Sequence, residues 1–318
     1  MRGSMAAVTP PPRWGLILAG GDGTRLRSLT RQIAGDGRPK QFCRLFGSET
    51  LLEQTRQRAA RLLSPERILT VVVRQHQRFY APAPADITCQ RLVIQPENRG
   101  TAPAILYGLL RLLTMSPAGP VVILPSDHYV SDDDAFMRHV DRAFEAVGAR
   151  PDLLVLLGIV PGSPEAGYGW IEPGEPLAGP SWPGLCRVRH FWEKPSAALA
   201  QTLLVRGCLW NSFVMVAHPS ALLALIKSAA PDLFDAFVPV RSRLTTPWED
   251  DGIRQVYSRL PSTDFSGQVL VTRPANLAVL PLAGVGWSDL GEPGRVMATL
   301  ARLGGHPEWA RPESRVPA

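Results

Sequence analysis

Residues 14–25 read WGLILAGGDGTR, an apolar run that ends in three glycines within four positions. The apolar half has the length and composition of a buried β-strand. Gly20, Gly21 and Gly23 allow a tight turn and let backbone N–H groups approach a ligand, because no Cβ stands in the way. Backbone donors beside the Arg25 guanidinium suit a polyphosphate, which accepts many hydrogen bonds and attracts positive charge. The stretch therefore predicts a strand followed by a phosphate-binding loop, and an ordinary glycine-rich turn is the alternative.

Strand-like and helix-like segments alternate along the rest of the chain. Short apolar runs predict strands at 14–19, 68–73, 92–95, 121–124, 153–160, 187–192 and 209–216. Periodic apolar spacing predicts helices at 51–63, 101–113, 135–147, 197–206 and 219–230. The alternation predicts an α/β fold with a mainly parallel mixed sheet and helices on both faces. Ligands of such sheets bind beyond the carboxyl ends of the strands, where the loop after Ala19 and the segment after Leu124 lie.

The composition favours a globular protein that acts in the cytoplasm. No apolar run approaches the ~20 residues of a membrane span, and the dispersed arginines form no patch suited to nucleic acid. The four cysteines are scattered without a C-x-x-C pair, which predicts reduced thiols and no zinc site. We therefore expect neither a membrane nor a nucleic acid as partner.

Lysine is scarce in this chain, since only Lys40, Lys194 and Lys227 are lysines among 34 basic residues. Asparagine is equally rare. Lys40 and Lys194, like Asn98 and Asn211, fall within motif-like segments. An ammonium and a guanidinium are not interchangeable where a compact charge must fit. The retained lysines therefore predict a chemical requirement, and chance placement is the alternative.

Several ordered motifs carry a family resemblance over residues 14–295. They are the glycine-rich stretch and the segments 39–42 (PKQF), 95–104 (QPENRGTAPA), 125–128 (PSDH), 190–195 (HFWEKP), 209–212 (LWNS) and 287–291 (WSDLG). Together they resemble the sugar-1-phosphate nucleotidyltransferases, and the PKQF segment resembles the mannose-1-phosphate guanylyltransferase branch. Neither a P-loop nor the dinucleotide fingerprint is present. The resemblance implies a Rossmann-like nucleotidyltransferase domain.

The resemblance also implies the residues that handle the nucleotide. Arg25, Lys40 and Lys194 are implied as catalytic cations, because the reaction brings two polyanions together. Gln95 stands where the family often has Glu, and an amide can both donate and accept towards a base. Thr101 is alternatively the N-cap of the helix that follows. The implied nucleotide-binding residues are Leu18, Ala19, Gly20, Gly21, Gly23, Thr24, Gln95, Arg99, Thr101 and Ser126.

The metal and sugar sites are implied in the same way. Asp127 and Asp289 are implied as ligands of Mg²⁺, which prefers hard oxygen donors, and capping roles in turns are the alternative. Phe213 departs from the family, which has Gly at that position, and residues 262–265 depart from the Ser-Ile-Asp-Tyr segment of the family. Both departures leave the sugar open. The implied sugar-phosphate contacts are Gly169, Glu193, Lys194 and Asn211.

These implications combine into one expected reaction. A guanylyl group would pass from GTP to mannose 1-phosphate, with release of pyrophosphate. The alternatives are the same chemistry on another sugar 1-phosphate or nucleotide, and a regulatory subunit that binds nucleotide sugar without turnover. Homo-oligomerisation stays open. We expect a leader or disordered tail at 1–12, a catalytic domain at 13–235 and a small C-terminal extension at 236–318 that completes the active site.

Overall fold

A computed structural model describes residues 11–81, 91–115, 119–177, 182–272 and 277–304, together with Trp309. The expected leader at 1–12 lies almost wholly outside these residues, as does Cys89. None of the described helices is both long and apolar enough to cross a membrane.

One mixed sheet organises the described residues. Its strands are β1 Trp14–Leu18, β2 Ile68–Val73, β3 Leu92–Gln95, β4 Val121–Pro125, β5 Leu154–Ile159, β6 Gly169–Pro176, β7 Cys186–Glu193, β8 Leu209–Ala217 and β9 Leu277–Leu282. Their order in space is β3-β2-β1-β4-β8-β5-β9-β7-β6, and β8 also pairs with β6. The strands β3, β2, β1 and β4 are parallel, whereas β8 is antiparallel to both β4 and β5. The predicted α/β fold with a mixed sheet is confirmed.

Helices cover both faces of this sheet. They are α1 Arg27–Ala34, α2 Leu51–Ala60, α3 Gln77–Tyr80, α4 Thr101–Met115, α5 Asp133–Ala149, α6 Ala197–Val205, α7 Pro219–Ala229, α8 Pro231–Ala236, α9 Glu249–Tyr257 and α10 Pro293–Arg302. Successive strand residues point to opposite faces, so Leu16 packs in the core beneath α4 and α7. Ile17 packs in the other core, beneath α2 and α5. Both side chains are fully buried, so β1 is an interior strand that is covered on both faces.

The C-terminal part of the chain is built into this sheet. Strand β9 lies between β5 and β7, parallel to β5 and antiparallel to β7. Helix α10 packs against α1 through Val296 and Leu300, which contact a cluster that includes Leu26 and Leu29. The sequence did not predict β9, and the sheet therefore runs across the expected boundary at residue 235. The division into a domain and an extension stays a prediction.

Candidate functional site

A cleft of about 550 Å³ lies at the carboxyl ends of β1, β3 and β4. A volume of this size is typical of small-molecule sites. The end of β7, residues Asn211 and Phe213 of β8, and the turn around Asp289 form its other walls. The predicted site residues that line it are Leu18, Gly20, Gly21, Arg25, Lys40, Gln95, Thr101, Ser126, Asp127, Gly169, Glu193, Lys194, Asn211 and Asp289.

Four predicted nucleotide-binding residues do not line the cleft. Ala19 is buried, and its N–H donates to the Val71 carbonyl. Gly23 has a positive φ of 59° and precedes a short 3₁₀ helix, Thr24–Leu26, on which Thr24 is exposed. Arg99 pairs with Glu97 at 2.8 Å. These four residues shape the loops around the cleft, and a role of theirs in nucleotide binding stays a prediction.

The glycine loop is held in place by side chains from neighbouring segments. Gln41 Nε2 donates to the carbonyls of Ala19 and Gly21, at 3.1 and 2.7 Å. Asp22, in the same loop, accepts from Asn98 Nδ2 at 2.9 Å and from Gln75. The loop therefore has a fixed conformation before any ligand binds.

Close backbone approach explains two glycines of the site. A Cβ on Gly20 would stand 2.8 Å from Gln95 Nε2, and a Cβ on Gly100 would stand 2.4 Å from the Thr263 carbonyl oxygen. Neither approach leaves room for a side chain. Gly100 also has a positive φ of 88°, a conformation that only glycine adopts readily.

Thr101 connects two segments of the site. Its hydroxyl lies 3.1 Å from Asp264 Oδ1 and accepts the Phe265 N–H at 2.8 Å. Helix α4 begins at Thr101 itself. The hydroxyl therefore binds residues 264 and 265 and does not cap the helix, which was the alternative. This contact places residues 262–266 against the start of α4.

Lys40 is almost completely buried, with 7% of its surface exposed. Its ammonium donates to the carbonyl oxygens of Asp289 and Leu290, at 2.5 and 3.1 Å. Nζ also lies 3.3 Å from Asp127 Oδ2. Three acceptors around one nitrogen match the three donors of an ammonium. The scarce lysine thus joins the two predicted metal ligands, and its compact head fits a site that a planar guanidinium would not.

Asp127 follows β4 and has two basic neighbours. Its recessed position would by itself raise its pKa, but Lys40 and His128 outweigh this effect and hold the pKa below the ordinary value. Burial lowers the pKa of His128, and its ring packs edge-on against Trp287 at 5.2 Å. Asp127 is therefore ionised at neutral pH, and His128 contributes packing.

Asp289 is surrounded by hydrogen-bond donors. Arg295 Nη1 lies 2.8 and 2.9 Å from its two carboxylate oxygens. Tyr168 donates its hydroxyl at 3.1 Å, and the Gly291 N–H donates at 3.0 Å. Burial would raise the pKa of Asp289, but the Gly291 N–H and the nearby cationic groups lower it overall. The carboxylate is ionised and fixed in orientation.

The donor set fits a divalent cation that is shared with phosphates. Asp127 and Asp289 are two ionised carboxylates in one cleft. The described residues contain no group of three or more acidic, histidine or cysteine side chains that could hold a metal alone. Mg²⁺ keeps several waters and binds through one or two carboxylates plus substrate phosphates. The residues present therefore fit Mg²⁺ as a joint ligand of protein and nucleotide.

The side of the cleft with the predicted sugar contacts contains a strained bulge in β8. Gly158 pairs with Asn211 and Leu156 with Met215, so three residues of β8 face one residue of β5. Phe213 lies in this bulge with a φ of 59°, in the left-handed region. Asn211 Oδ1 accepts the Phe213 N–H at 3.0 Å. The bulge thus fixes the Asn211 amide, and the Phe213 ring forms part of the cleft wall.

Glu193 and Lys194 form an ion pair of 3.0 Å at the end of β7. Burial raises the pKa of Glu193, against the opposing effect of Lys194. A Cβ on Gly169 would stand 2.9 Å from Glu193 Oε2, so the backbone of β6 and this carboxylate are adjacent. Both Glu193 and Lys194 line the cleft. An ion pair confined to the outer surface of the protein would not do so.

Sequence reasoning missed several residues of the cleft wall. Gln41 lay within the PKQF motif, and Asp264 lay within a segment that departs from the family pattern. Tyr168 and Ser266 carried no signal of their own. Arg295, which binds Asp289 from behind, lies outside every motif.

Residues 14–299 match the family described as Nucleotidyl transferase. Among curated proteins, the chain is 32% identical to a mannose-1-phosphate guanylyltransferase of Escherichia coli K12 over an aligned length of 286 residues, and the match covers 87% of this chain and 57% of that protein. It is also 32% identical to the xanthan biosynthesis protein XanB of Xanthomonas campestris, with the same coverage. The chain thus spans somewhat more than half the length of these relatives.

The fold has a close counterpart among solved structures. A crystal structure from Thermus thermophilus, described as a mannose-1-phosphate geranyltransferase, superposes with a TM-score of 0.75 at 32% identity. The match covers 88% of this chain and 76% of that one. The family match extends over the elements that build the cleft, from β1 to α10. This chain belongs to the nucleotidyl transferase family.

Proposed function

We propose that this chain transfers a guanylyl group from GTP to mannose 1-phosphate, which gives GDP-mannose and pyrophosphate. The observation that carries the proposal is the single cleft in which the glycine loop, three cations and two ionised carboxylates meet. The choice of substrates is supported by the relative named mannose-1-phosphate guanylyltransferase at 32% identity.

The phosphate chemistry follows from the charges around the cleft. The backbone of Gly20 and Gly21, with the exposed Arg25 beside it, binds the triphosphate and the departing pyrophosphate. Lys194 is 61% exposed at the cleft wall and meets the sugar phosphate. Lys40 acts indirectly, because its ammonium is already bound to the carbonyls of Asp289 and Leu290. In this proposal the enzyme accelerates the reaction by alignment and charge neutralisation, without a covalent intermediate.

Asp127 and Asp289 would hold Mg²⁺ together with phosphate oxygens. When bound, it neutralises charge on the reacting phosphates. Lys40 and Arg295 keep the two carboxylates ionised and oriented. The protein's own contribution at this point is therefore an ordered pair of anions.

We propose that Gln95 contacts the base of the nucleotide and determines which base is preferred. Its Oε1 accepts the Tyr257 hydroxyl at 3.0 Å, and both side chains are buried. Because Oε1 is occupied, Nε2 is the atom left to donate to a ligand. At C6 guanine carries a carbonyl oxygen, which accepts from an amide N–H, whereas adenine carries an amino group there, which donates. The amide orientation thus favours GTP over ATP.

We place the reaction in the cytoplasm. Cys43, Cys186 and Cys208 are free thiols, as is usual in a reducing compartment.

A substrate screen tests the proposed function. Purified protein is incubated with each of four nucleoside triphosphates and a panel of sugar 1-phosphates, and pyrophosphate release is measured with and without EDTA. We expect the fastest release with GTP and mannose 1-phosphate, and none after chelation. Another preferred pair would replace the substrates and keep the chemistry. Binding of GDP-mannose without turnover of any pair would refute the enzyme and favour a regulatory subunit.

A further inference from the structure

The Arg295 guanidinium joins two parts of the cleft that are far apart in sequence. Nη1 contacts both carboxylate oxygens of Asp289, and Nη2 lies 3.1 Å from Glu165 Oε2. The guanidinium carbon also lies 4.3 Å from the centre of the Tyr168 ring. Arg295 itself is not among the described residues that line the cleft. It therefore acts from behind the cleft wall.

Arg295 is fixed by its own helix. Its helix, α10, is anchored by Val296 and Leu300 in the cluster that packs against α1. Only 17% of the Arg295 side chain is exposed. A planar fork with five donors can bind two carboxylates at once, which an ammonium cannot do with the same geometry. The position and the residue type both suit a bridge.

The far side of the bridge is the segment 163–169, which leads into β6. Within it, Glu165 accepts from Arg295 through its side chain, and its carbonyl accepts from Trp170 Nε1 at 2.8 Å. A Cβ on Gly167 would stand 2.8 Å from Arg295 Nη2, so the guanidinium lies directly against this backbone. The same segment ends at Gly169, the predicted sugar contact.

We propose that Arg295 is a positioning residue that fixes the Asp289 carboxylate and the segment 163–169 in one arrangement. The proposal rests on the proposed function for its kinetic consequences. Without the guanidinium, Asp289 and Glu165 are left as two neighbouring anions with no shared counter-charge. Among the described contacts, the Tyr168 hydroxyl then remains as the link between the carboxylate and the segment, so the predicted metal and sugar subsites are held less firmly relative to each other. Partners of this kind change metal affinity or activity by roughly 10–100-fold when they are removed.

Hydrogen exchange tests this arrangement without any turnover. We compare Arg295→Met, which keeps the stem and removes the charge, with Glu165→Gln, which weakens only the contact to segment 163–169. Arg302→Met is the matched control, because Arg302 is exposed on the same helix and bonds only to Thr299 within it among its described contacts. The backbone amides of residues 163–170, except Pro164, which has none, should exchange about 10-fold faster in both test variants, and their exchange should be unchanged in the control. Unchanged exchange in Arg295→Met overturns the proposal.

The double variant Arg295→Met/Glu165→Gln separates a shared contact from two independent effects. If both residues act through the same bridge, exchange in the double variant matches that of Arg295→Met alone. Multiplied effects in the double variant would overturn the proposal.

Kinetics supply the second measurement. In Arg295→Met the KM for sugar 1-phosphate and the Mg²⁺ activation constant should both rise about 10-fold or more, and Arg295→Lys should restore part of the loss. A lower kcat with unchanged KM and unchanged Mg²⁺ dependence would indicate general loss of folded protein and refute positioning. If the wild-type protein turns over no substrate pair, the proposed function fails, while the exchange result still decides the role of Arg295.

Discussion

The left-handed backbone at Phe213 predicts an inverted effect of glycine in a β-strand. With a φ of 59°, Phe213 carries a cost of about 1–2 kcal/mol that glycine would not. In an ordinary strand, glycine is less stable than alanine by roughly 0.5–1 kcal/mol, since it loses more conformational freedom on folding. Subtracting the second effect from the first leaves Phe213→Gly more stable than Phe213→Ala by about 0–1.5 kcal/mol, with a midpoint of about 0.75 kcal/mol. Both variants lose the ring, so the contact with Phe265 cancels in the comparison.

The assay is urea unfolding of the two variants, with Val216→Gly and Val216→Ala as the matched pair in the same strand. Val216 pairs regularly with Val122 and Val155 and has no positive φ. There, glycine should be less stable than alanine by the ordinary amount. The difference between the two positions then gives the backbone strain directly. If glycine is also the less stable residue at position 213, the bulge carries no strain and the reasoning is wrong.

Phe213→Gly should also change the ranking of kcat/KM among sugar 1-phosphates by roughly 1–3 kcal/mol, because the ring lines the cleft; an unchanged ranking would assign Phe213 to packing alone. Lys40→Arg should lower kcat by about 10²-fold, because a guanidinium cannot reproduce the three contacts of the buried ammonium. Lys227→Arg, on the exposed face of α7, is the control and should leave kcat unchanged. Equal kcat in both variants would mean that the site has no requirement for lysine at position 40. Tyr257→Phe should reduce the preference for GTP over ATP by about 2–10-fold, since one hydrogen bond of about 0.5–1.5 kcal/mol orients the Gln95 amide; the ratio of the two kcat/KM values decides it. Asp127→Asn and Asp289→Asn should each remove most activity, and the double variant should lose much less than the sum of the two barrier changes; full additivity would separate their roles.

Local chemistry made much of this molecule predictable. The strand β1 and the loop after it follow from an apolar run and three glycines, which act over a few residues. The same is true of α2, whose capping box at Thr50 and Glu53 stands in the sequence. Strand β9 was missed because Pro281 interrupts its apolar run and further prolines break the surrounding part of the chain. Only its pairing with β5 and β7 makes it a strand.

The residues of the site divide in the same way, into those with a local sequence signal and those without one. Residues that lie in motifs, such as Lys40 and Asp289, could be named from the sequence, but their mutual contact joins positions 249 residues apart. Arg295 and Tyr168 could not be named, since their importance comes entirely from the carboxylate they share in space. Phe213 stood out as a departure from the family, and the structure supplies the physical content of that departure in its backbone angle.

The place of β9 in the interior of the sheet has a consequence for the order of events on the ribosome. The nascent chain can form β5 and β7 well before residue 277 leaves the exit tunnel, but each then exposes an unpaired edge to other chains. The sheet becomes continuous only when β9 pairs with β5 and β7, and the turn that carries Asp289 follows β9 directly in the sequence. Pairing of β9 with β5 and β7 therefore covers the two exposed strand edges, and at the same stage of synthesis it brings Asp289 into the cleft. A chain interrupted before this point is prone to aggregate and lacks Asp289.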